Sequence, residues 1–121
     1  MALKYQYEKF MTTRGLGYGY IHITPAPTSS EYILFLHGFP SSSQDWKHQI
    51  ELFSKKGYGI VVPDCLGYGK TSKPLNTELY TGKAMAQDVL EILEHEKIKS
   101  VIGIGHDWYV SHYCSVIEGL N

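Results

Sequence analysis

Asp107 stands in the middle of GHDWY (Gly105 to Tyr109), directly after the apolar run VIGI (Val101 to Ile104). A strand that ends in glycine, any residue, a reactive side chain and then turns into a helix describes a nucleophile elbow, whose tight bend carries the central side chain at its tip. An aspartate in that place is already ionised near neutral pH, so it attacks an electrophilic carbon without a base removing a proton first. The product is an ester on the protein, and a base-activated water is needed only to release it. Taken alone, Asp107 reads equally well as the N-cap of the helix that follows.

A second stretch, HGFP (His37 to Pro40), also follows a buried-looking apolar run. Glycine and proline there fix a turn, and the backbone N–H of Phe39 can face the same space as that of Trp108. Two such donors form an oxyanion hole. His37, Gly38 and Pro40 are the supporting loop, with His37 a loop-stabilising residue rather than the base, because it lies on a different loop from the nucleophile. A third stretch, DCLGYGKTS (Asp64 to Ser72), ends like a phosphate-binding loop. The first glycine of that motif would fall at Asp64, whose carboxylate repels phosphate. Asp64, Gly67 and Gly69 therefore read as a structural turn, with Asp64 a bracing acceptor.

These three loops need a frame. The runs Ile33 to Leu36, Ile60 to Val62 and most of Val101 to Ile104 are short and continuously apolar, the mark of strands in a parallel sheet covered on both faces. Between the first two, Trp46, Ile50 and Phe53 give one face of a helix over Trp46 to Lys56, stopped by Gly57. Between the second and third, Met85, Val89, Ile92 and Leu93 give a second helix over Thr81 to Lys97, with Thr81 as its N-cap. Phe10 to Thr24 alternates around Gly15, Gly17 and Gly19 and reads as a hairpin, with Tyr18, Tyr20 and His22 on one face. The fold class is α/β: an N-terminal hairpin, then parallel strands with flanking helices. In such sheets ligands bind beyond the carboxyl ends of the strands, where all three loops leave.

The 121 residues suit a single core. Eleven basic side chains against twelve acidic ones provide no field for nucleic acid or an anionic membrane. No apolar stretch is long enough to span a bilayer, and the opening MALKYQYEKF has no apolar core of a secretory signal, so a cytoplasmic location is expected. Cys65 and Cys114 lack CxxC spacing and read as buried free thiols, and the six histidines show no metal-ligand pattern. No metal or cofactor is expected.

HGFP, the W46-KHQ segment, PDCLGYGKTSKP and IGIGHDW occur in that order with ordinary loop lengths between them. Together they resemble the N-terminal part of α/β-hydrolases of the epoxide-hydrolase group, over about Phe10 to Val116. The resemblance implies a partial α/β-hydrolase fold, the whole of 1–121 being the N-terminal part of a core domain that stops after the nucleophile-elbow helix. It implies a small hydrophobic epoxide as substrate, attack by Asp107 on an epoxide carbon, and Phe39 and Trp108 amides on the oxyanion. It also implies a catalytic histidine, an acid and a helical cap in segments beyond this sequence, so full turnover by this chain is not expected. Haloalkane dehalogenases share the Asp-Trp pair but typically carry asparagine where this chain has Phe39. Fluoroacetate dehalogenases typically carry arginine in place of Trp108. Tyr109 departs from the small residue usual two positions after the nucleophile and crowds the elbow. The alternatives are a dehalogenase-type hydrolase and a non-catalytic binding protein that self-associates through its open sheet edge.

Overall fold

The computed structural model describes residues 7–27, 31–37 and 43–105. Its five strands are β1 (Tyr7–Met11), β2 (Gly17–Ile23), β3 (Tyr32–Leu36), β4 (Gly59–Pro63) and β5 (Ile102–Gly105), with helices α1 (Lys47–Lys55) and α2 (Gly82–His95). They form one sheet in the order β1-β2-β4-β3-β5. The hairpin β1–β2 is antiparallel and joins the rest through an antiparallel β2–β4 pair, while β4, β3 and β5 run parallel. Hairpin, parallel strands and intervening helices agree with the sequence reading. Among the described residues no helix is long and apolar enough to cross a membrane.

Alternation along the strands explains why both faces need a helix. On one face Ile33, Phe35, Ile60 and Val62 pack with Ile50 and Phe53 of α1. On the other, Leu34, Leu36 and Val61 pack with Met85, Val89, Ile92 and Leu93 of α2, together with Tyr18 and Tyr20. β3 and β4 therefore read as continuous apolar runs because each residue meets one helix or the other. β5 differs from that expectation. Ile102 is 46% exposed, since among the described strands β5 has a neighbour on one side only.

The helix predicted from Trp46 begins one residue later, after a 3-10 turn at Ser43–Trp46. Gly57 follows α1 at φ +95°, the left-handed closure predicted for it. Thr81 caps α2, its hydroxyl accepting from the Ala84 amide at 3.3 Å.

The hairpin turn is latched to α2 by a buried carboxylate that the apolar-stripe reading passed over. Asp88 is buried, yet Arg14 donates to it through Nε at 2.9 Å and Nη2 at 2.5 Å, and the Tyr18 hydroxyl donates at 2.6 Å. Thr13 adds two bonds to Glu91, from its amide at 2.8 Å and its hydroxyl at 2.9 Å. A buried charge is tolerated only when its lone pairs are taken up in this way. Its position was legible: Asp88 lies between Met85 and Ile92 on the stripe, where an ionised side chain demands a partner from elsewhere. Burial raises the Tyr18 pKa well above the ordinary value, and the bond to Asp88 raises it further.

Two outcomes follow from this latch. Asp88→Ala strands the Tyr18 hydroxyl and the Arg14 guanidinium and is expected to cost about 2–4 kcal/mol in urea unfolding, at the lower end because Arg14 remains partly exposed. A tyrosine whose folded pKa is raised contributes stability that is complete below its unfolded pKa and lost as pH rises towards the folded one. Stability is therefore expected to fall above about pH 10, and Tyr18→Phe to make that alkaline slope shallower. An unchanged slope in urea titrations above about pH 10 would show that Tyr18 ionises freely in the fold.

Candidate active site

Strand register places the carboxyl ends of β3, β4 and β5 at one edge. β3 and β5 pair with Leu36 opposite Gly105, so the carboxyl ends of the two strands lie side by side. β3 and β4 pair with Leu34 opposite Val61, which brings the end of β4 to the same edge. α1 and α2 cover opposite faces of the sheet, and the carboxyl ends of its parallel strands are where such scaffolds place ligands. Of the residues predicted for the site, His37 is described. Gly38, Phe39, Pro40, Asp107 and Trp108 lie outside the described residues, as do Tyr109 and Cys114.

His37 is buried and acts as an acceptor. Its Nε2 receives the Cys65 amide at 2.8 Å, and the edge of its ring meets Tyr68 with ring centres 5.5 Å apart. An imidazole nitrogen that accepts an N–H carries no proton, so the ring is neutral with its hydrogen on Nδ1. The lone pair that a general base needs is thus already committed. The bond joins the end of β3 to the chain that follows β4. Cys65 is buried, with its sulfur 4.0 Å from the His37 carbonyl oxygen.

Asp64 performs the complementary task. Its buried carboxylate accepts from the Ser43 amide through Oδ1 at 2.8 Å and from the Lys70 amide through Oδ2 at 3.0 Å. Its own amide donates to the Gly19 carbonyl at 2.9 Å. The Thr71 hydroxyl donates to the Asp64 carbonyl at 2.5 Å and accepts from the Gly19 amide at 3.0 Å. Segment 38–42 is thereby fastened at both flanks to consecutive residues beyond β4: His37 to Cys65, and Ser43 to Asp64. The Tyr7 hydroxyl meets Ser43 Oγ at 2.7 Å, and the Lys70 ammonium lies 4.0 Å above the Tyr7 ring, which ties β1 to the same cluster.

Glycine is required where the loop folds back on this carboxylate. Gly69 has φ +52°, and a β-carbon there would stand 2.5 Å from the Asp64 carboxylate. The GYGK sequence that resembles a phosphate loop is thus closed around a carboxylate of its own. Sequence reasoning identified Asp64 as a brace but not its partners, because nothing in the local pattern connects it to Ser43, 21 residues earlier.

A mixed sheet whose parallel strands end at one edge, flanked by helices on both faces, defines an α/β scaffold. The chain belongs to the α/β-hydrolase fold family, whose model matches residues 31–108. It is 39% identical over 105 residues to an epoxide hydrolase from Caballeronia sordidicola, covering 87% of this chain and 31% of that protein. It is 31% identical over 103 residues to epoxide hydrolase B from Mycobacterium tuberculosis, covering 85% and 29%. The crystal structure of epoxide hydrolase VrEH1 from Vigna radiata superposes with a TM-score of 0.82 at 27% identity, over 93% of this chain and 35% of that one. The chain spans about a third of the length of these relatives.

The brace makes a direct prediction. Asp64→Ala leaves the Ser43 and Lys70 amides without their acceptor and is expected to lower stability by about 2–4 kcal/mol. Asp64→Asn keeps one acceptor oxygen and sets an NH2 group against the other amide, so it is expected to recover only part of the loss. Equal unfolding midpoints for Asp64→Asn and the unaltered protein would show that one of the two bonds does not form.

Proposed function

We propose that this chain carries the nucleophile half of an epoxide-hydrolase-type active site. The observation that supports it most directly is the pairing of Leu36 with Gly105, which starts the segment bearing Phe39 next to the segment bearing Asp107 and Trp108. The names of the similar proteins support the same chemistry.

In this reading a carboxylate oxygen of Asp107 attacks an epoxide carbon. The new C–O bond forms as the ring C–O bond breaks, and the departing alkoxide takes up a proton. A hydroxyalkyl ester of Asp107 remains. Water then adds to the ester carbonyl, and the amides of Phe39 and Trp108 receive the negative charge on the tetrahedral oxygen. That water needs a base, and His37 does not supply one, because its Nε2 already accepts the Cys65 amide. The first step asks only for an ionised, well-aimed carboxylate, so the chain is suited to alkylation more than to turnover.

The test is intact-protein mass after incubation with styrene oxide. One added epoxide mass is expected, mapping to Asp107 and absent from Asp107→Asn. An adduct that persists in Asp107→Asn would place the reaction elsewhere, and product accumulating over many turnovers would reveal a base beyond those named here.

A second reading, a binding module that pairs through the outer edge of β5, is favoured by the exposure of Ile102. Light scattering on purified protein separates the two: a dimer lost in Ile102→Lys favours edge pairing, and a monomer at all concentrations rejects it.

A further inference from the structure

At the end of the sheet opposite the three loops lies a pocket of about 420 Å³, between the start of β3 and the chain linking α2 to β5. One wall is the ring of Tyr32. It is wedged in place: a β-carbon on Gly59 would stand 2.7 Å from that ring and 3.0 Å from Pro25, which also lines the pocket. The Tyr32 hydroxyl lies 3.0 Å from His22 Nε2, and His22 Nδ1 lies 3.4 Å from one oxygen of Glu96. The other Glu96 oxygen accepts from the Tyr20 hydroxyl. The carboxylate in the pocket lining is therefore engaged from two sides by the sheet.

The rim carries Lys97, Lys99 and Ser100. The lining thus counts two lysines against one engaged glutamate, a net positive balance of residues. Lys97 has φ +61° and, among the described residues, is the sole non-glycine in the left-handed region. It occupies the closing position of α2, where its amide donates to Glu94 and the Ile98 amide to Leu93. Glycine is preferred in that position because a β-carbon is disfavoured there. A lysine held at a conformational cost points to a use for its side chain. Complementing the negative end of α2 is not a sufficient use, since the neighbouring Lys99 offers the same charge without that backbone.

We propose that this pocket binds a small organic anion, a carboxylate or a phosphate on a flat apolar body. Lys97 and Lys99 hold the charge, and the body lies against Tyr32, Pro25 and Ile98. The volume suits such a ligand, since small-molecule sites run from roughly 300 to 1,000 Å³. The site is separate from the hydrolase edge and does not rest on the epoxide reading.

Calorimetric titration of the full chain with phenyl phosphate, benzoate and inorganic phosphate tests it. Saturable one-to-one binding of phenyl phosphate or benzoate is expected, tighter than that of inorganic phosphate. Lys97→Gly is expected to weaken it at least tenfold while the unfolding midpoint holds or rises, because the strained backbone is relieved. Lys55→Ala, which removes an exposed charge on α1, is expected to leave binding unchanged. The proposal is overturned by absence of saturation, by inorganic phosphate binding as tightly as phenyl phosphate, by full binding in Lys97→Gly, or by an equal loss in Lys55→Ala.

Discussion

Two buried acceptors at the tip of β4 govern how the carboxyl edge of the sheet is built. The Asp64 carboxylate and the His37 imidazole each take a backbone N–H from the strand or loop beside them. Backbone amides buried away from water must find acceptors, and a side-chain acceptor satisfies them only from a narrow range of positions. Here the two bonds cross in opposite directions. His37, at the end of β3, accepts from the residue after β4's tip, and Asp64, at that tip, accepts from Ser43 at the far side of segment 38–42. A displacement of β3 against β4 that kept one bond would break the other. Thr71 and the Asp64 amide extend the same network to Gly19, so the hairpin strand, the two central strands and the loop after β4 are tied together.

The buried ions follow the same rule for a different purpose. Asp88 costs solvation energy on the α2 face, and that cost is offset only because Arg14 and Tyr18 reach it from the hairpin. A hydrophobic residue in its place would pack without demanding a partner, and would leave the turn at residues 12–16 with less to hold it. The carboxylate thus fixes where the hairpin sits on the helix, while the apolar contacts of Val89, Ile92 and Leu93 supply the bulk of the burial. Order at the loop edge and order at the hairpin are both set by carboxylates, each closed off by donors distant in sequence.

That distance decides what could be read from the residues alone. β3 and β4 were legible because a strand covered on both faces has no polar position, and α1 and α2 because Ile50 and Phe53, or Met85, Val89 and Ile92, recur at helical spacing. Gly57 and Thr81 were legible because termination and capping are local. Asp64 announced a brace through its turn glycines. Its partner Ser43, and the link between Asp88 and Arg14, were not legible, since they depend on strand order, and the jump of β5 to the far side of β3 is not encoded in any single segment. The exposure of Ile102 has the same origin. VIGI has the composition of a central strand, and its place in the order sets how much of it is covered. For the candidate site, the sequence motifs named the loops but not the bond from the Cys65 amide to His37, which depends on strand order, and Phe39, Asp107 and Trp108 lie outside the described residues.

The state of His37 bears on how the chemistry must be divided. A carboxylate nucleophile makes the first step independent of any base, so a scaffold can assemble that step from one strand end and two amides. The second step needs an imidazole with a free nitrogen near the ester. His37 is withdrawn from that role by the bond its Nε2 accepts from Cys65, and a proton on Nε2 would set two hydrogens against each other at the Cys65 amide. Anchoring the loop and activating water are thus incompatible demands on one ring. An α/β-hydrolase that uses this histidine as a fastener must draw its base from a different strand end.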